Sequence, residues 1–301
     1  MSTRDGAVDH RLVWRSEALG PAQALDLEGG RLRAHVVGDG PAIVFVHGAL
    51  VNANLWRKVV PRLDGFTRVA LDMPLGSHVE PMPDRDLSAP DAARLIGEAV
   101  EALGLSDVTL VGNDTGGALC QIAAAERPDW LGRLVLTSCD AFEHFPPGPL
   151  RFLIPVLRLP GVIPVALAGM RSRRLRQLPI AYGLGVNEPI DREAEDSYAL
   201  PMLMRREIRA DMRRLLYDTG PRYTLAAAER LRDFDRPALI AWSADDRFFP
   251  REDAERLATT IPGARLEWIE DSRTFSPEDQ PERLAELIGG FARDTAGAGR
   301  V

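Results

Sequence analysis

An α/β fold, with a mostly parallel central sheet flanked by helices and an inserted helical cap, is what this 301-residue sequence predicts. Three observations carry that reading. Short continuous apolar runs recur, Ala42-Ile43-Val44-Phe45-Val46 foremost, as strands covered on both faces require. Amphipathic helical patterns alternate with those runs. The alternation stops after Ala141, gives way to one block rich in Pro, Arg and Leu, and resumes at Ala238.

Taken in order, residues 1–24 read as a loose arm in which Trp14 docks on the core. Residues 31–37 alternate like a strand, and Gly38-Asp39-Gly40 turns the chain into the run 42–46. A helix is expected over 55–63 and a strand over 67–71. The stretch 88–103 has helical periodicity, with Ser88 as cap, Asp91 three residues on and Gly104 as stop. A strand at 108–111, a helix over 118–126 and a strand at 134–137 follow. In the block 142–230, helical patches cover 201–218 and 225–231. Elements at 238–242, 251–260, 266–269 and 281–291 then complete the alternation. The expected division is a core of 1–141 and 231–301, with 142–230 as cap; 295–301 is a small-residue tail.

Composition narrows the function classes. With 45% hydrophobic residues the chain can bury a substantial core, and a net charge of −7 without a basic stripe excludes a nucleic-acid binder. Cys120 and Cys139 have neither disulfide nor metal spacing, and residues 1–30 lack an apolar leader, so a reduced cytoplasm is expected. The apolar stretch 150–170 is interrupted by Pro155, Pro160, Gly161 and Pro164 and contains Arg151 and Arg158, which argues against a membrane span. A small-molecule substrate is expected, with no cofactor, metal or membrane partner.

The chemistry concentrates in Gly112-Asn113-Asp114-Thr115-Gly116-Gly117, between the strand at 108–111 and an alanine-rich helix. This is a G-x-D-x-G turn, the strand–turn–helix context of a nucleophile elbow with aspartate where serine is usual. Glycines flank Asp114 because strand and helix approach too closely there for a Cβ. The first N–H groups of the helix and its dipole favour a carboxylate and can later hold an oxyanion. His47-Gly48-Ala49 ends the run 42–46, and Ser243-Ala244-Asp245-Asp246-Arg247 follows the strand at 238–242.

In this order the motifs resemble the α/β-hydrolase superfamily, specifically its aspartate-nucleophile branch of haloalkane dehalogenases and epoxide hydrolases. The likeness covers roughly 31–291. It implies Asp114 as nucleophile, the Ala49 and Thr115 N–H groups as oxyanion hole, and Asp246 as the triad acid, with Asp245 as alternative. Two halide donors of the dehalogenases are absent, since Ala49 stands for asparagine after His-Gly and Thr115 for tryptophan after the nucleophile. Epoxide hydrolases use cap tyrosines as acids, and Tyr182, Tyr198, Tyr217 and Tyr223 fall in the cap. Where the family has Gly-His-Phe near the C-terminus, this chain has Arg273-Thr274-Phe275, so Thr274 falls at the histidine position. A threonine hydroxyl cannot collect a proton near neutral pH.

The five histidines are therefore weighed singly. His47 reads as a brace of the oxyanion loop, and His10 and His35 as surface or core. His78, in the loop Asp72-Met73-Pro74-Leu75-Gly76-Ser77-His78, is the best substitute base, and His144, where the chain enters the cap, is second. Asp140 and Glu143 share that second segment, where some dehalogenases carry their acid. Cys139 reads as a small buried hydrophobe, and the run Arg171–Arg176 as a solvated cap face. The expected function is hydrolysis of a small apolar substrate, with an epoxide favoured over a haloalkane. The rival readings are a cyclase, isomerase or lyase using Asp114 as general base, and a ligand-binding homologue without turnover.

Overall fold

The computed structural model describes residues 9–151, 154–157, 159, 161–178 and 181–296. Among these, eight strands form one sheet: β1 (Ala22–Leu27), β2 (Gly30–Val37), β3 (Ala42–Val46), β4 (Thr67–Asp72), β5 (Val108–Asp114), β6 (Leu131–Cys139), β7 (Ala238–Ser243) and β8 (Arg265–Ile269). Their spatial order is β1-β2-β4-β3-β5-β6-β7-β8; β1, β2 and β4 pair antiparallel, and every pairing from β4 to β8 is parallel.

The unbroken apolar runs follow from burial on both faces. Every residue of β3 is buried, with Val44 and Val46 in the cluster on one face of the sheet and Ile43 and Phe45 in that on the other. Because β3 lies between β4 and β5, the chain winds to opposite sides on leaving it. The crevice at the carboxyl ends of β3 and β5 is thus the topological switch point, where ligands bind in open α/β sheets.

Three elements differ from expectation. The arm expected over 1–24 contains the start of β1, whose exposed edge buries only Leu25 and so lacks an alternating signature. The helix expected at 55–63 is two 3₁₀ turns, Ala53–Trp56 and Val60–Arg62, the second containing Pro61, which lacks an N–H donor. The patch at 201–218 belongs to two helices, Arg192–Met204 and Arg206–Asp218, with Arg205 extended between them. The helix Ala89–Ala102 starts where expected, although the Ser88 side chain makes no cap bond. Asp91 instead accepts the Leu87 N–H at 3.0 Å and binds Arg85.

Among the described residues, the regular elements between β6 and β7 are all helical. The last helix of that block, Pro221–Leu231, packs on the helix Thr115–Ala125 that follows β5, and so joins the layer flanking the sheet. The earlier helices are tied to the loops after β3 and β4 by buried polar contacts. Asn54 donates to the Ser197 hydroxyl at 2.9 Å, and the Ser77 hydroxyl donates to the Tyr198 carbonyl at 2.6 Å. Arg57 pairs with both Glu278 and Asp191. No helix among the described residues is long and apolar enough to cross a membrane.

Candidate active site

Asp114 is the last residue of β5 and sits at φ 53°, ψ −132°, a conformation that non-glycine residues rarely adopt. Such a backbone costs about 1–3 kcal/mol and persists only where its surroundings enforce it. Here the enforcement is steric. A Cβ on Gly116 would overlap the carbonyl oxygens of His47 and Val46, so the helix Thr115–Ala125 starts in contact with the end of β3. A Cβ on Gly48 would overlap the Asp114 carboxyl itself. The two glycines therefore bring the loop after β3 against the tip of β5.

That approach sets the electrostatics. Burial pushes the Asp114 carboxyl up to about 7, and the nearby Asp246 carboxylate acts the same way. The backbone N–H groups of Thr115 and Ala49 oppose the rise. Both donors expected of an oxyanion hole therefore face the Asp114 carboxyl. Asp114 remains partly accessible to water, unlike its neighbours Asn113 and Thr115.

Asp246 lies in the turn after β7, where its Oδ1 accepts the N–H groups of Phe248 at 2.7 Å and Phe249 at 2.9 Å. The Thr274 hydroxyl donates to the same oxygen at 2.9 Å, while Oδ2 is buried without a partner. Burial raises its affinity for a proton, against the pull of those two N–H groups and of the Ser138 and Thr274 hydroxyls. Asp245, the alternative, is exposed. Thr274 is held by its own backbone, whose carbonyl accepts from Asn113 Nδ2 at 2.8 Å. The residue beside Asp114 thereby fixes the one bonded to Asp246.

A third carboxyl was not among the primary candidates. Asp140, just past β6, is fully buried and accepts the Thr115 hydroxyl at 3.0 Å, while its Oδ1 has no partner. Burial, and then the charge of Asp114, raise its pKa well above the carboxylate range. An aspartate closing the apolar run 131–139 is the available sequence signal, because side chains at the carboxyl ends of parallel strands converge.

The histidines are occupied elsewhere. His47 accepts the Met73 N–H on Nε2 at 2.9 Å and donates from Nδ1 to the Gly48 carbonyl at 2.8 Å. Burial lowers its pKa to about 4, so it is a neutral brace of the loop carrying Ala49. His78 Nε2 is 2.9 Å from Asp211 Oδ2, in the helix Arg206–Asp218, and no hydrogen bond joins it to Asp114 or Asp246. His144 Nδ1 lies 2.7 Å from Asp253, and His35 binds the Gly20 carbonyl. The structure thus brings Ala49, Asp114, Thr115 and Asp246 together, and pairs His78 with the inserted helices instead.

Tyr182 donates to the loop after β3, to the Leu50 carbonyl at 2.8 Å. Tyr198 is buried between Arg57 and Glu278, and Tyr223 binds Asp218. Tyr217 is 60% exposed. Among the described residues no group of His, Cys, Asp and Glu has the arrangement of a metal site.

A sheet of this order, with a strained turn residue at the end of β5 and an acid after β7, defines a class. Residues 43–287 match the model of the alpha/beta hydrolase family, and the chain belongs to that family. Among its relatives, the uncharacterized hydrolase YugF of Bacillus subtilis is 26% identical over 291 residues, covering 92% of this chain and all of the relative. A haloalkane dehalogenase of Agrobacterium fabrum is 28% identical over 289 residues, covering 92% and 93% of the two chains. The crystal structure of haloalkane dehalogenase DbeA from Bradyrhizobium elkani superposes with a TM-score of 0.78 at 19% identity, over 92% of this chain and 99% of that one, which speaks to fold alone.

Proposed function

We propose that the protein hydrolyses a small apolar substrate through an ester on Asp114, with an epoxide favoured over a haloalkane. The observation that carries this reading is the Asp114 carboxyl facing the Ala49 and Thr115 N–H groups at a strained turn. In this account the two N–H groups hold one carboxyl oxygen and the other attacks carbon. The same donors then stabilise the oxyanion formed when water attacks the ester. In the first step the Asp114–carbon bond forms, the ring carbon–oxygen bond breaks, and the released oxygen takes a proton from Tyr182. In the second step water adds to the ester carbonyl and gives its proton to a base. Collapse breaks the bond between the ester carbonyl carbon and the alkoxy oxygen. The departing alkoxide takes the proton held by the base, giving the diol, and the proton left on Asp114 passes to the Tyr182 phenolate, restoring the carboxylate.

Asp246 is the group we assign as that base. Its Oδ2 is unpartnered and burial raises its proton affinity, as direct proton transfer to a carboxylate requires. Thr274 then orients Asp246 through the hydroxyl bond. His78, bonded to Asp211, acts in this account by holding the inserted helices over the site. We take the block 142–230 expected from the sequence as the cap, with its last helix, Pro221–Leu231, packed on the core helix Thr115–Ala125. The absence of asparagine at Ala49 and tryptophan at Thr115 supports the epoxide preference, because the halide donors of the dehalogenases are missing.

Asp114, pushed up to about 7, lies close to Asp140, which burial also raises, and such a pair suits general acid–base chemistry without an ester as well. Isotope labelling separates the two. In a single turnover of a reactive terminal epoxide in H2¹⁸O, ester formation delivers an unlabelled diol, because the new oxygen comes from Asp114. A general-base mechanism delivers labelled diol from the first turnover, and that result would refute the nucleophile assignment.

A further inference from the structure

Charge is distributed unevenly along this chain. Between Glu143 and Glu188 there is no aspartate or glutamate and there are six arginines, although the protein as a whole carries −7. The same span holds five of the large apolar side chains left exposed: Val156 (50%), Leu159 (54%), Val165 (76%), Leu175 (44%) and Leu178 (40%). Only Met204 and Tyr217 among the described residues' exposed large apolar side chains lie outside this span, a concentration greater than single scattered residues would give. Arg173 and Arg176 are turned inward to Glu195 and Asp196. Arg151, Arg171 and Arg174 are exposed, and no carboxylate among the described residues pairs with them.

The segment is built of short helical turns, Gly148–Arg151, Ile154–Leu157, Val162–Ala166, Ala168–Arg171 and Arg173–Arg176, each packed on the next. Proline and glycine interruptions keep any turn from becoming a spanning helix. Short amphipathic pieces with cations and aliphatics, and no acidic side chain to repel a negative surface, match the boundary between headgroups and acyl chains. We infer that this face of the inserted helices docks on an anionic lipid surface. Apolar side chains enter the interface, and Arg151, Arg171 and Arg174 meet lipid phosphates. A like-on-like contact with a second copy would set arginine against arginine and is disfavoured.

The position of the face adds a consequence. Next to Leu178, Gln177 opens a cleft of about 90 Å³ that is also lined by Tyr182, whose hydroxyl binds the Leu50 carbonyl beside Ala49. The segment that docks thus adjoins a cleft whose Tyr182 is tied to the loop after β3. The docking itself does not depend on the chemistry assigned to Asp114.

Sedimentation of the full chain with vesicles tests the inference. Vesicles of equal parts phosphatidylglycerol and phosphatidylcholine should carry the protein down, phosphatidylcholine alone should not, and added salt should release it. Reversing three exposed charges, R151E/R171E/R174E, should weaken partitioning roughly a hundredfold. V165S/L175S should also weaken it on the mixed vesicles. Both variants should melt as the wild type does, because the altered side chains are exposed. Failure of the wild type to sediment with anionic vesicles would overturn the proposal, as would equal retention of the charge-reversed variant. A concentration-dependent dimer abolished by the same reversal, without vesicle binding, would assign the face to a second copy instead.

Discussion

The two ends of the candidate site are built to different standards. At the Asp114 end, every feature of a reactive carboxylate is present. The backbone is strained, two glycines permit close approach, and two N–H donors face the carboxyl. At the opposite end, Asp246 is held as tightly, by two N–H groups and a hydroxyl, but that hydroxyl belongs to Thr274 rather than to a proton-accepting ring. Strain and buried charge are costly to keep, which is what favours the proposed use of the carboxylate at the elbow. On the proposed reading, the second end leaves carboxylates to move any proton. The site holds three of them, Asp114, Asp140 and Asp246, and no histidine bonded to any.

The largest effect expected from this contrast is at Asp114. Asp114→Asn should lower turnover by about 10³-fold or more, measured as initial rate on a verified epoxide; a wild-type rate would remove Asp114 from the chemistry. The glycine packing predicts the next largest effect. Gly116→Ala forces a Cβ onto two backbone carbonyls that have no room to yield. Denaturant unfolding should register a loss of about 3 kcal/mol or more, within the range of severe steric mutations.

Titration sharpens the comparison further. With Asp114 raised to about 7, a rate that needs its ionised form should climb about tenfold per pH unit below neutrality and level off above it. Stability runs the other way. The folded state binds the Asp114 proton more tightly than the unfolded chain does. This group's contribution is therefore greatest below the unfolded carboxyl pKa and is lost as pH rises to about 7. Asp114→Asn should flatten that part of the stability–pH curve. The smallest effect is expected at Thr274. Thr274→Val removes one of three bonds to Asp246 Oδ1 and should cost about 1 kcal/mol in unfolding free energy. A larger loss would mean that Asp246 depends on the hydroxyl more than its two N–H bonds suggest.

How much of this was legible in the sequence depended on local signal. The elbow was, because glycine, aspartate and a bounding apolar run are adjacent in the chain. So were the doubly covered strands and the turn carrying Asp246, since burial on both faces leaves unbroken apolar runs. Asp140 was underweighted because its role arises from a hydroxyl 25 residues away in sequence. The partner of His78 was illegible for a similar reason, since Asp211 lies 133 residues on. The edge strand β1 escaped because a strand burying a single residue carries no alternation. The helix Pro221–Leu231 looked like part of the insertion because composition does not report which layer a helix packs on.

The account stands on ester formation at Asp114, and mass spectrometry after rapid quenching reads it directly. Asp246→Asn protein exposed to a reactive terminal epoxide should gain the mass of one epoxide, and peptide mapping should locate it at Asp114. The wild type should clear the same adduct faster, by the 10²–10⁴-fold typical of a general base. Diol production by Asp114→Asn, or turnover by the wild type with no adduct in either protein at any quench time, would contradict the account.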